Sequence, residues 1–286
     1  MNLPPPANRS RVALPLLRWF ASMFVGLLFL APLLWLLLGS LREETQIFHF
    51  DAAHWLTTTG WTLQNYADAW RRANLGTGLL VSLFQVALIA GCGLFVNALA
   101  AFAFARCEFR GRDGLFGAIV ALIILPIEVL AIPMFLTARD LGLTGGFAAT
   151  LAGLTVPFFA KAFNLYFLRQ QMLSIPRELE EAAALDGASR WHQFWHIALP
   201  AIRPALATVV LLDVLAHWGD FLWPLMLSTR EETRTVQLSL ANLFTAPPLQ
   251  WGDILACAVI ATLPTLALFR LFQRYIVPSE TRAGLK

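Results

Sequence analysis

Long stretches of this chain carry no charged side chain, and their lengths constrain the fold more than any other feature. Residues 19–41 and 73–105 hold none. Residues 114–138 hold only Glu128, and 141–168 hold only Lys161. Residues 204–229 contain Asp213 and Asp220, with His217 between them, and 254–269 are uncharged. A helix needs about 20 mostly apolar residues to cross a bilayer. The spacing therefore predicts an all-α polytopic membrane protein with six transmembrane helices, near 18–40, 77–104, 115–138, 148–168, 204–228 and 252–276.

Composition agrees. Apolar residues make up 58% of the 286 and charged ones 14%, against about 45–50% and 25% in ordinary globular chains. That leaves too little charge to cover a soluble α/β enzyme, and it excludes disorder, coiled coil and a disulfide scaffold. Cys92, Cys107 and Cys257 lie far apart in apolar stretches, so no disulfide framework is implied. A net charge of +3 is too small to point to nucleic acid. The first span has a basic flank like a signal peptide's, but its uncharged run exceeds the roughly 7–15 residues of an h-region, so an uncleaved anchor is expected. Basic residues of the short loops set orientation. Fourteen fall on the side of the N-terminus and six on the other, which predicts both termini cytoplasmic. Residues 41–76 and 229–251, outside, are long enough for short surface helices, and Trp55, Trp61, Trp70 and Trp251 fit an interfacial aromatic belt.

Inside, residues 169–203 form a polar loop patterned as helix. Pro176 suits a first helical position, and Glu178, Glu180 and Glu181 favour a helix N-terminus. Ala182, Ala183 and Ala184 are strong helix formers. Gly187 supplies the positive-φ stop. Ser189 can cap a second short helix that ends at Leu199, ahead of Pro200, and Pro204 can open the fifth span. A helix–turn–helix on the membrane surface is expected.

Glu181-Ala182-Ala183, three residues, Gly187, nine residues, then Ile197-x-Leu199-Pro200 resembles the EAA motif of ABC importer permeases at every position. AFAFAR at 101–106, LPIEVLAIP at 125–133, FLRQQMLSIPRELEEAA at 167–183, WGDFLWPL at 218–225 and ATLPTLALFRLFQRYIV at 261–277 narrow the likeness to the six-helix permease of maltose-type carbohydrate importers. The likeness covers about 62–280. Thr77-Gly78 departs from the Asn-Ser common in relatives, and the tail SETRAGLK lacks their small-residue run. Charge and hydropathy give a cytoplasmic segment at 1–17 and an anchor at 18–40, where the likeness is weak. The resemblance implies a transmembrane domain at 62–280 with a coupling loop at 169–203. It implies that the loop docks on a cytoplasmic ATPase, with Glu181 as polar anchor, Ala182 and Ala183 as the close-packing surface, Gly187 as the turn, and Asp186, Leu199 and Pro200 in the same element. Implied partners are a second permease subunit, two ABC ATPases, an extracytoplasmic solute-binding protein and the lipid bilayer.

The chain has two lysines, Lys161 and Lys286, and neither sits in a glycine-rich phosphate loop. ATP hydrolysis by that chemistry is therefore expected in a partner, and no cofactor is implied. Ionisable groups inside spans are costly and usually line a cavity or pair with one another. Asp213, His217 and Asp220, at spacings of four and three, share one helix face with Trp218 and Trp223 nearby. They read either as bordering a translocation path or as polar contacts between helices. Glu128, between Pro126 and Pro133, reads as a gate or as the structural partner of Lys161. Gln85 and Asn97 are expected to hydrogen-bond between helices, and Ala98, Ala101 and Ala105 to permit close packing. His192 and His196 have metal-ligand spacing but lack the adjacent Glu of a zinc-protease helix and a third ligand. An autonomous secondary transporter would need internal repeats and a coupling-ion site. An intramembrane enzyme would need a nucleophile beside Asp213 and His217. Neither is visible. Few basic residues reach the membrane interior, which favours a neutral sugar over glycerol 3-phosphate.

Overall fold

The computed structural model describes residues 10–48 and 60–276, with side chains described over 18–48 and 60–271. Trp55, most of the 1–17 segment and the tail SETRAGLK lie outside these residues. Among the described residues the fold is helical, apart from one isolated bridge between Arg42 and Trp61. In order, the helices are α1 (Ser10–Ser40), α2 (Gln64–Arg72), α3 (Leu75–Arg106), α4 (Arg112–Ile124), α5 (Ile127–Asp140), α6 (Phe147–Phe158) and α7 (Ala162–Leu173). Then follow α8 (Arg177–Leu185), α9 (Arg190–Ala201), α10 (Arg203–Trp218), α11 (Leu222–Leu227), α12 (Val236–Leu243) and α13 (Trp251–Ile276).

Among the described residues three helices are each long and apolar enough to cross a membrane: Arg18–Ser40 of α1, Leu75–Arg106, and Trp251–Leu271 of α13. None of the apolar window of α1 is buried within the chain, and Trp19, Phe24, Leu28 and Phe29 face outward. A water-soluble protein would not leave such a surface uncovered. The helix instead satisfies every backbone group internally, as hydrocarbon requires, and lies along α13.

The expected helices at 115–138, 148–168 and 204–228 are each interrupted. The α4–α5 pair is bent by 106°, α6–α7 by 48° and α9–α10 by 78°, and each is long and apolar enough to cross a membrane only as a pair. Pro126 makes the first break, because Leu125 before it is forced extended (φ −78°, ψ 117°). Pro133, by contrast, stays within α5. The expected helix at 204–228 stops at Trp218 and resumes at Leu222. Pro224 explains the gap: in a continuous helix its ring would strike the carbonyl of Asp220, whereas in the first turn of α11 its missing N–H costs nothing.

Two interhelical seams organise the bundle. The first joins α3 to α7 through Ala98, Ala101 and Ala105, which are buried with Phe102, Leu168 and Met172. Small side chains let these backbones approach as expected. The second joins α3 to α12. This helix was expected to lie on the membrane surface, yet Val236, Leu238, Ser239 and Leu243 are buried. The Val236 N–H donates to Ser82 Oγ (2.9 Å). Gly78 gives the physical reason for the departure at Thr77-Gly78, since a Cβ there would stand 2.6 Å from Ser239 Oγ and 3.3 Å from the Val236 Cα. Gly78→Val should therefore destabilise the chain by about 1–3 kcal/mol, read as a lowered unfolding midpoint of the detergent-solubilised protein; an unchanged midpoint would contradict this close packing.

Near this seam, both Glu44 carboxylate oxygens accept the first N–H groups of α13, from Trp251 and Gly252 (2.9 Å each). An acidic group at a helix N-terminus is favourable. Arg72 of α2 pairs with Asp253, and Asn65 Nδ2 donates to the carbonyls of Ser40 (2.9 Å) and Arg42 (2.8 Å). These bonds tie α1, α2 and α13 together.

Candidate functional site

The EAA segment folds as a capped helix–turn–helix. Helix α8 ends in a Schellman motif: Gly187 has φ +84°, its N–H donates to Ala184 O (3.0 Å), and the Ala188 N–H donates to Ala183 O (2.9 Å). Ser189 then caps α9, its hydroxyl accepting the His192 N–H (3.2 Å). The second helix runs two residues past its expected end at Leu199. A wide turn at Phe194–Ala198, in which the Leu199 N–H reaches back to Phe194 O, carries the chain past Pro200, and the break falls at Ile202. Leu199 packs on the α3–α7 core.

One edge of α8 is fastened to the bundle. Arg106, the last residue of α3, donates from Nε to Glu180 Oε1 (2.7 Å) and from Nη2 to the carbonyls of Met172 and Ile175 (2.8 Å each). Both side chains are buried, at 3% and 6% exposure. Gln193 of α9 adds longer bonds to the carbonyls of Glu180 (3.4 Å) and Ala188 (3.3 Å). The other edge is open. Leu179, Glu181, Ala182 and Asp186 are exposed, Ala183 is half-buried, and Leu185 is 90% exposed. His192 and His196 stack ring on ring at 4.0 Å, and the described residues contain no group of three His, Cys, Asp or Glu able to hold a metal.

A second constellation lies where the broken helices meet. Lys161 occupies the gap between α6 and α7 in extended backbone. Its ammonium donates to Asp213 Oδ1 (2.6 Å) and lies 2.7 Å from His217 Nε2. Asn164 Nδ2 donates to the other Asp213 oxygen (2.8 Å). Asn97 of α3 satisfies the backbone opened by the gap, donating to Phe159 O (2.8 Å) and accepting from the Lys161 N–H (3.0 Å). If Lys161 donates to His217 Nε2, the imidazole proton sits on Nδ1, a buried atom with no hydrogen-bond partner. A cleft of about 490 Å³ opens beside this cluster. Lys161, His217, Asp220 and Trp223 line it among apolar side chains of α5 and the end of α4. Irregular backbone at membrane depth is tolerated where it is buried in protein or borders a cavity.

The structure thus brings together some predicted residues and separates others. Asp213 and His217 do share a face, but Asp220 lies beyond the end of α10. Trp218 turns into the core and donates to Ala261 O (2.9 Å). Trp223 donates to Gly153 O (3.1 Å) and still borders the cleft. Glu128 is exposed at the first turn of α5, and Lys161 pairs with Asp213 instead, because the gap points it at α10. Asn97 makes its expected interhelical bonds; Gln85 does not. Gln85 is fully buried with neither side-chain heteroatom partnered, on a stripe with Val81 and Ile89 that packs against Leu154, Phe158 and Leu227. Arg106, Glu180, Asn164 and Gln193 were missed. A lone acid within the Glu178–Glu181 run has no local mark of burial when its partner is 74 positions away.

The family described as binding-protein-dependent transport system inner membrane component matches residues 93–282, two-thirds of the chain and all of both constellations. The chain belongs to this family of ABC importer permeases. It is 29% identical over 280 residues to the arabinooligosaccharides transport system permease protein of Halalkalibacterium halodurans, covering 95% of this chain and 98% of that one. It is also 29% identical over 293 residues to the trehalose/maltose transport system permease protein of Thermococcus litoralis, covering 97% and 99%. To the sn-glycerol-3-phosphate transport system permease protein of Agrobacterium fabrum it is 33% identical over 202 residues, 70% of each chain. A bacterial ABC transporter that imports the acidic polysaccharide alginate shares the fold, with TM-score 0.79 at 22% identity over 96% of this permease and 100% of that chain.

Proposed function

We propose that this permease crosses the membrane six times, with α4–α5, α6–α7 and α10–α11 each forming one span beside α1, α3 and α13, and with both termini cytoplasmic. In this reading it forms half of a sugar pathway with a second permease subunit. Two ATPases sit beneath it and a solute-binding protein delivers solute from the other side. The observation that carries the reading is the two-sided character of α8. One edge is locked into the bundle by Glu180, while the opposite edge leaves Leu185 uncovered beside Glu181, Ala182 and Asp186. An apolar residue so exposed on a well-capped helix fits a partner's cleft. Closure of the ATPases would push on residues 176–200 and reach the broken helices around the cleft, where Glu128, Asp213, His217, Trp218, Asp220 and Trp223 are the path candidates. Trp218 and Asp213 would act from behind the lining.

Relatives that carry glycerol 3-phosphate keep a phosphate ester as the second reading. Against it, Lys161 already has its charge answered by Asp213, so the cleft offers an anion no free cation among its lining residues. The test is purification of the tagged chain from its own host's membranes. The expected result is a second permease and an ATPase at two copies, with MgATP hydrolysis by the complex. A chain that came out alone and carried sugar without ATP would overturn the proposal.

A further inference from the structure

We infer that Arg106 and Glu180 form a clamp that makes α8 and the adjoining end of α3 a single lever, so that Arg106 is a positioning residue for coupling. This inference rests on the reading of α8 as the ATPase-docking element. One guanidinium spans three helices: it is carried by α3, it binds the α8 carboxylate, and it binds the carbonyls of Met172 in the last turn of α7 and of Ile175 just beyond it. Burying an ion pair gains little over an apolar pair of the same volume, and its best-attested use is to specify one arrangement. The planar fork of arginine makes all three bonds from a single rotamer, which a lysine could not do.

The geometry also gives force a route. Neighbouring positions on a helix differ by about 100° in direction. Glu180 therefore points into the bundle while Glu181 points out to the exposed edge. A push on Glu181 reaches Glu180, the next residue, and a push on Leu185 reaches it along the same short helix. From Glu180 it passes through the buried ion pair to Arg106. Only Ser174–Pro176 separate α7 from α8, and the Ile175 carbonyl within that link is held by the same guanidinium. Beyond Arg106, the Ala98–Ala101–Ala105 seam presses α3 against α7, so displacement of one carries the other. Further along α3, Asn97 grips the broken backbone at Phe159 and Lys161, beside the cleft.

The test follows α3 rather than the docking surface. Spin labels go on the native, exposed Cys92 of α3 and on Leu263→Cys, exposed on α13, with Cys107 and Cys257 replaced by alanine. Distances are measured in the purified complex before and after trapping with MgATP and vanadate. In the parent, with the clamp intact, trapping should shift the distance by about 1–2 Å, the scale of helix shifts in switching proteins. In Glu180→Gln and Arg106→Gln the shift should fall by half or more, although ATPase co-purifies and hydrolyses ATP as in the parent. Glu180→Gln keeps both carbonyl bonds of Arg106, so it serves if Arg106→Gln fails to accumulate. An undiminished shift in Glu180→Gln overturns the clamp, as does a parent that shows no shift while hydrolysing ATP. A parent that brings down no ATPase would instead defeat the docking reading itself.

Discussion

Replacing Asp213 by alanine is expected to cost about 3 kcal/mol of stability, the lower end of the range for breaking a buried ion pair. The lower end applies because Lys161 is 22% exposed toward the cleft and regains some water there. Three losses coincide. The ammonium loses its counter-charge, Asn164 loses its acceptor, and His217 is left beside an unbalanced cation. Lys161→Met should cost a similar amount, since it strands the carboxylate, which is only 4% exposed. The pair Lys161→Met with Asp213→Leu should recover most of the loss, because matched apolar groups fill the same space without desolvated charge. Unfolding titrations of the three variants in detergent would measure a coupling energy above about 1 kcal/mol. Single variants each within about 0.5 kcal/mol of the parent would mean that the cluster does not hold α7 to α10.

The second large effect concerns binding and leaves folding alone. Glu181→Lys should reduce co-purifying ATPase at least tenfold, or about 1.4 kcal/mol, while the thermal midpoint of the permease stays where it was. Glu181 is exposed and makes no hydrogen bond or ion pair among the described residues, so its replacement removes no contact seen in the fold. A reversed charge against a complementary surface is repelled and left without a partner. Leu185→Asp should behave alike, since its side chain touches little of its own protein. Full ATPase recovery from both variants would place the docking surface elsewhere.

The contrast between Glu180 and Glu181 shows how far sequence reasoning reaches. Two adjacent acids in one run have the same local chemistry, yet one is buried under Arg106 and the other faces solvent. Their difference comes from which edge of α8 meets α3 and α7. Likewise the helix stop at Gly187 and the cap at Ser189 were legible, because a positive-φ turn and an N-cap are decided within four or five residues. The break at 219–221 was also written locally, in Pro224, although the apolar run across it reads as one helix. The partner of Lys161 was not. Glu128 and Asp213 are equally plausible carboxylates in sequence, and only the direction in which the α6–α7 gap aims the ammonium chooses between them.

What the sequence determined by itself, then, is everything that depends on short-range chemistry. That includes the all-helical membrane class, the small-residue seam on α3, the capped turn of the EAA loop, and the likeness to importer permeases. What only the tertiary structure decided is which charges are neutralised inside the protein, where the cleft opens, and how α12 folds back onto Gly78. Hydrogen-bond rings and capping close over a few residues, so their signals lie side by side in the chain. Ion pairs and cavities are made by side chains 52 or 74 positions apart, and packing alone brings them together.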